Sequence, residues 1–66
     1  MIQHYQATYD SDRTIESVMF DLLGTGVPHG NIEYDRENHR LDVTIPEGRK
    51  LTVLKILKRH HPRQLN

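Results

Sequence analysis

The chain has 66 residues, no cysteine, and nine acidic side chains balanced by nine basic ones. That length makes one domain whose small core buries only about 60% of the unfolded surface, and the lack of cysteine excludes disulfides and thiolate metal sites. No apolar run approaches the roughly 20 residues of a membrane span, and Met1-Ile2-Gln3-His4-Tyr5 lacks the basic and apolar regions of a signal peptide, so a soluble cytoplasmic protein without membrane contact is the expectation.

Ile2 to Tyr9 reads as a first strand. Tyr5, Ala7 and Tyr9 alternate with His4, Gln6 and Thr8; the second set is polar, so the first is expected to face inward. Asp10-Ser11-Asp12 then offers N-cap oxygens and acids suited to the positive end of a helix. Ile15, Val18, Met19 and Leu22 recur at i, i+3, i+4 and i+7, the apolar stripe of an amphipathic helix, with Phe20 and Leu23 on its flank. Gly24 is the expected C′ residue, and Gly26 and Pro28 prevent continuation.

Asn31 to Asp35 follows as a second strand, with Ile32 and Tyr34 on one face. Asp35-Arg36-Glu37-Asn38 is a tight connection in which Asn38 is expected to take the left-handed conformation. From His39 to Ile45 the alternation is strict: Leu41, Val43 and Ile45 face one way, Arg40, Asp42 and Thr44 the other. Pro46-Glu47-Gly48 ends that strand. Leu51, Val53, Leu54, Ile56 and Leu57 spread over one side of a second helix, with Thr52, Lys55 and Arg59 opposite. Lys58, Arg59, His60 and His61 lie where cations suit the helix dipole. Pro62 stops the helix, and residues 62–66 are expected to fray.

Strand, helix, strand, strand, helix, with a right-handed crossover between the first two strands, predicts a single α+β domain. The expected architecture is a β-α-β-β-α, three-stranded mixed sheet in the order 1-3-2 with both helices on one face, a truncated ferredoxin-like arrangement. Its core is expected to gather Ile15, Val18, Met19, Leu22, Ile32, Leu41, Val43, Ile45, Leu54 and Leu57.

No catalytic or cofactor signature is present. Metal sites need converging ligands; His60 and His61 diverge by about 100° on a helix, and His4, His29 and His39 fall on a strand, a loop and a hairpin. Asp10, Asp12 and Glu16 sit where helix-start acids belong. Gly24-Thr25-Gly26 follows a helix rather than joining a strand to one, so it lacks the context of a phosphate loop. The chain therefore reads as neither an enzyme nor a cofactor binder.

Charge is unevenly placed. All nine acids lie between Asp10 and Glu47, with only Arg13, Arg36 and Arg40 among them; Arg49, Lys50, Lys55, Lys58, Arg59 and Arg63 follow with no acid. Such asymmetry marks either attraction between the two halves or an anionic partner. In the second case Lys55, Lys58, Arg59 and Arg63 are the anion-binding candidates. Nucleic-acid binders usually add aromatic side chains, and this tail has none, so the solvated surface ranks ahead.

The stretches Leu22-Leu23, Gly26-Val27, Ile32-Glu33-Tyr34-Asp35 and Leu41-Asp42-Val43-Thr44-Ile45 carry a resemblance. Through them, Ser17 to Lys58 resembles a heavy-metal-associated, ferredoxin-like domain without its last strand. Tyr9-Asp10-Ser11-Asp12 stands where that family places its cysteine pair, so thiolate metal transport does not carry over. Gly26-Val27-Pro28, Ile32 and the closing Ile56-Leu57-Lys58-Arg59-His60-His61-Pro62 are also similar to small bacterial general-stress-type proteins of unknown function. That resemblance implies structure and no chemistry.

The resulting expectation is a non-catalytic interaction or self-association module. Its first strand, at a sheet edge with no lysine or proline to block pairing, would join a homodimer or another protein, with His4, Gln6 and Thr8 marking the edge. The competing arrangement is a monomer whose C-terminal residues fold back over that edge. The alternative function is a weak nucleic-acid or other anion binder through the basic second helix.

Overall fold

In the computed structural model, which describes residues 1–66, the chain forms β1 (Ile2–Thr8), α1 (Asp12–Gly24), β2 (Ile32–Asp35), β3 (Arg40–Pro46), α2 (Lys50–Arg59) and β4 (Gln64–Leu65). Single 3-10 turns at His29–Asn31 and Glu47–Arg49 lead into β2 and α2. The sheet order is β2-β3-β1-β4, and every neighbouring pair is antiparallel. The expected placement of β3 between β1 and β2 is met. Two features differ: the sheet is antiparallel throughout rather than mixed, and it has four strands rather than three.

The fourth strand arises because α2 ends in a reversal. His61 takes a left-handed backbone, φ 56°, and its amide bonds to the Lys58 carbonyl at 3.1 Å. Pro62 cannot continue the helix, so the chain runs back along β1. Arg63 donates its amide to the Thr8 carbonyl at 2.7 Å, and Gln6 and Asn66 exchange amide–carbonyl bonds at 2.9 and 2.8 Å. The segment expected to fray is thus held by the sheet.

Helix α1 starts as its sequence dictates, with the Ser11 hydroxyl accepting the Thr14 amide at 3.3 Å. Its end lies two residues beyond the expected glycine. Gly24 remains helical, Thr25 is the cap, and Gly26 takes the positive φ of 102°. The Gly26 amide reaches the Leu23 carbonyl and the Val27 amide reaches that of Leu22, the pair of bonds that closes a Schellman motif. Val27 and Leu22 are both buried, so the motif also adds an apolar contact. The β2–β3 hairpin shifts likewise: Asp35 accepts from both the backbone and side-chain nitrogens of Asn38. With Asn38 so held, His39 takes the left-handed backbone at φ 51°. The same Asn38 bonds hold the Asp35 carboxyl below its usual value.

Both helices lie over the apolar face of the sheet, and thirteen side chains form one buried cluster. Ala7 and Tyr9 join Leu41, Val43 and Ile45 from the sheet; Ile15, Val18 and Leu22 come from α1, and Val53, Ile56 and Leu57 from α2. Met19 and Leu54 are only half-buried, and Val53 and Ile56 take the inner positions of α2 instead. Tyr9 spans the core and donates its hydroxyl to the Leu57 carbonyl at 2.8 Å, tying the end of β1 to the last turn of α2. Burial pushes its phenol pKa from 10.0 up to about 12.

Val43 is fully buried on the central strand. Val43→Ala should therefore lower stability by about 1–3 kcal/mol through lost burial and a residual cavity, read as a lower denaturant midpoint. An unchanged midpoint contradicts its central place.

Tyr9 makes stability fall in alkali. Below pH 10 the folded and unfolded chains both keep the proton. Between pH 10 and about 12 the unfolded chain loses it first, so the unfolded state binds fewer protons and stability drops as pH rises. Tyr9→Phe should flatten that decline. At neutral pH it should cost about 1–3 kcal/mol by leaving a buried carbonyl unpaired. Denaturant titrations of both proteins at pH 7, 9 and 11 check both effects.

Candidate functional site

Each β-strand alternates the direction of its backbone amides and carbonyls. In β1, Gln6 and Thr8 aim theirs at β4, so Ile2 and His4 aim theirs the same way. β4 reaches only Thr8, Ala7 and, through Asn66, Gln6. Ile2 and His4 therefore present unpaired backbone groups at an open half-edge. The other side of this half is fixed: Ile2 pairs with Pro46 and His4 with Thr44, and the Met1 carbonyl accepts the Glu47 amide at 2.9 Å.

Of the expected edge residues, then, only His4 lies on this open half-edge. Gln6 and Thr8 already have their edge-side bonds filled by the returning C-terminal segment, and Ile2 takes their place. Large apolar side chains stand at the same spot, Met1 92% and Ile2 71% exposed. His4 lies on the outer sheet face, 3.4 Å from the Thr44 hydroxyl. On the inner face the Tyr5 hydroxyl is covered and has no hydrogen-bond partner.

The basic candidates divide into two kinds. Lys55, Lys58 and Arg59 share the exposed side of α2 with Leu51, which is 81% exposed. Arg63 lies apart, beside β4. Arg59 stands 3.8 Å from Asp21, and Arg63 3.4 Å from Asp10. His60 Nε2 lies 2.7 Å from the same Asp21 carboxylate. The basic tail thus spends Arg59, His60 and Arg63 on acids of the body, and of the four candidates only Lys55 and Lys58 lack an acidic partner.

A polar cluster that the sequence did not signal sits at the start of α1. Tyr34 donates its hydroxyl to Asp12 Oδ1, and His39 Nε2 lies 3.4 Å from the same oxygen. Desolvation, with the Asp12 hydrogen bond second, raises the Tyr34 phenol to about 12. Arg36 stacks over its ring at 5.6 Å. These residues are far apart in the chain, so no local spacing announces them. On the outer sheet face Arg40 lies 3.5 Å from both Asp35 and Asp42. The cluster joins helix to hairpin. No three histidine or acidic side chains converge as metal ligands.

The chain matches no known family model, no curated protein and no solved structure.

The two kinds of basic residue should separate by mutation. Lys55→Gln with Lys58→Gln should leave stability within about 0.5 kcal/mol, as for solvated surface positions. Asp21→Asn, which weakens the contacts to both Arg59 and His60, should lower it by about 0.5–1 kcal/mol, the scale of a partly exposed ion pair. Urea midpoints at neutral pH measure both, and a larger loss from the lysine pair would contradict the division.

Proposed function

We propose that this domain is a non-catalytic interaction module of ferredoxin-like topology. It acts by adding an extended protein segment to the open half of β1. The element order β-α-β-β-α-β, with two helices against an antiparallel four-stranded sheet, supports the ferredoxin-like part. The single observation that carries the interaction part is the half-edge: Ile2 and His4 hold unpaired backbone groups on a strand already rigid on its other side. Strand addition draws its affinity from such main-chain bonds and its specificity from alternate side chains. The exposed Met1 and Ile2 supply apolar contact beside them.

Anion binding through α2 has less support. Arg59 and Arg63 are engaged with Asp21 and Asp10, and the remaining lysines have no aromatic side chain beside them.

A blocked hexapeptide alternating valine and threonine tests strand addition. Titrated into isotope-labelled protein, it should shift the amide resonances of Ile2 and His4 and slow their exchange with solvent. His4→Pro removes the outward amide and should abolish both effects while circular dichroism stays unchanged. An oligonucleotide that instead shifts Lys55 and Lys58 at low salt, with affinity falling steeply as salt rises, would favour the anion reading and count against this one.

A further inference from the structure

Resting on the strand-addition reading, we infer that the segment recruited by β1 is β1 of a second copy of this chain. The two strands run antiparallel about a two-fold axis at Gln3. Only residues with outward backbone groups can exchange bonds across such a junction, and Gln6 is already bonded to Asn66. Centring the axis on His4 would require Ile2 to displace Asn66 from Gln6. Centring it on Ile2 leaves His4 without a partner. Centring it on Gln3 pairs Ile2 of each copy with His4 of the other, so every open group is used; Met1 of the second copy then abuts Asn66, whose carboxyl gives way while Gln64 and Leu65 keep their pairing with β1.

The same register covers what β1 leaves exposed. Met1 falls opposite Tyr5 of the second copy, and both belong to the alternation that faces the helices. The 92% exposed methionine thus lies beside a tyrosine ring, a contact suited to a thioether. Ile2, 71% exposed, lies beside the second copy's His4 on the outer face. Gln3 meets its own counterpart at the axis, where two side-chain amides can bond to each other. The surface is therefore self-complementary, as a two-fold interface must be. It is also short, so the association belongs with small, transient interfaces, and the two sheets become one continuous sheet of eight strands.

The absence of native cysteine makes the register directly readable. Gln3 and its counterpart form a non-hydrogen-bonded pair with Cα atoms about 4.5 Å apart, inside the disulfide range of about 4.4–6.8 Å. Ile2 and its counterpart, or His4 and its counterpart, are offset by two residues and lie outside it. Under mild oxidation at high micromolar concentration, Gln3→Cys should form covalent dimer about tenfold faster or more than Phe20→Cys. Phe20 is an exposed position on α1, and the gain follows from the raised effective concentration in the complex. Ile2→Cys and His4→Cys should stay near the Phe20→Cys rate, and the parent chain should show a concentration-dependent mass by sedimentation. Adding His4→Pro to Gln3→Cys should bring coupling down to the Phe20→Cys rate.

If Gln3→Cys couples no faster than Phe20→Cys, or if Ile2→Cys or His4→Cys couples fastest, the second copy in this register is overturned. The hexapeptide shifts at Ile2 and His4 then still stand or fall on their own. If Gln3→Cys couples fast but His4→Pro leaves the rate unchanged, the outward amide is not used and strand addition falls as well.

Discussion

The antiparallel ladder between β1 and β3 sets the position of everything else. It runs unbroken from Ile2 opposite Pro46 to Thr8 opposite Arg40. Because side chains alternate along both strands, one register commits Ala7, Leu41, Val43 and Ile45 to one face and Gln6, Arg40, Asp42 and Thr44 to the other. Slipping it by one residue would turn the apolar set to solvent. The helices follow: α1 and α2 bury their stripes only against this face. β2 pairs with the other side of β3, from Ile32 opposite Val43 to Asp35 opposite Arg40, so the longest regular alternation in the chain occupies the interior of the sheet.

The closing segment shows how weaker terms act once the ladder is set. Residues 62–66 contain one strongly apolar side chain, Leu65, and it is only half-buried. Hydrophobic burial alone does not fix such a segment. The Tyr9 hydroxyl on the Leu57 carbonyl holds the end of α2 over the end of β1. From there, the left-handed turn at His61 aims the chain along β1, and backbone bonds to Thr8 and Gln6 complete the fold-back. The Asp10–Arg63 pair adds little by itself, being largely exposed, but it is consistent with the same path.

Most of the architecture was legible because apolar periodicity is a direct image of burial. Ile15, Val18 and Leu22 announced α1; Leu41, Val43 and Ile45 announced β3; the order of strands on β3 followed from chirality and crossover. What escaped were features set by tertiary context. Gly24 and Asn38 are the residue types that favour a left-handed backbone, yet Gly26, His39 and His61 adopt it. At Gly26 the Schellman bonds and the buried Val27 decide the position, and at the hairpin the Asp35 side chain does so by holding Asn38. β4 was invisible because Gln64-Leu65 is too short for alternation to register. The acidic body and basic tail were legible in composition, but which acid meets which base needed the fold, as did the meeting of Asp12, Tyr34 and His39.

The candidate interaction site emerges from a difference between two sheet edges. β2, at one end, is only four residues long and carries Glu33 and Asp35; short, charged edges resist pairing with other chains. At the other end β4 and Asn66 shield Gln6 to Thr8. The half of β1 left beyond them bears no charged guard of the kind found on β2, and Met1 and Ile2 are exposed there. Exposed apolar side chains beside unpaired backbone groups are the two features that soluble sheets usually avoid together. Their coincidence at one half-edge, with the opposite edge protected, is the physical basis for proposing interaction at β1 rather than at the sheet at large. It also explains why Gln6, which looked like part of an open strand, belongs to the fold, while the outward backbone groups of Ile2 and His4 stay unpaired.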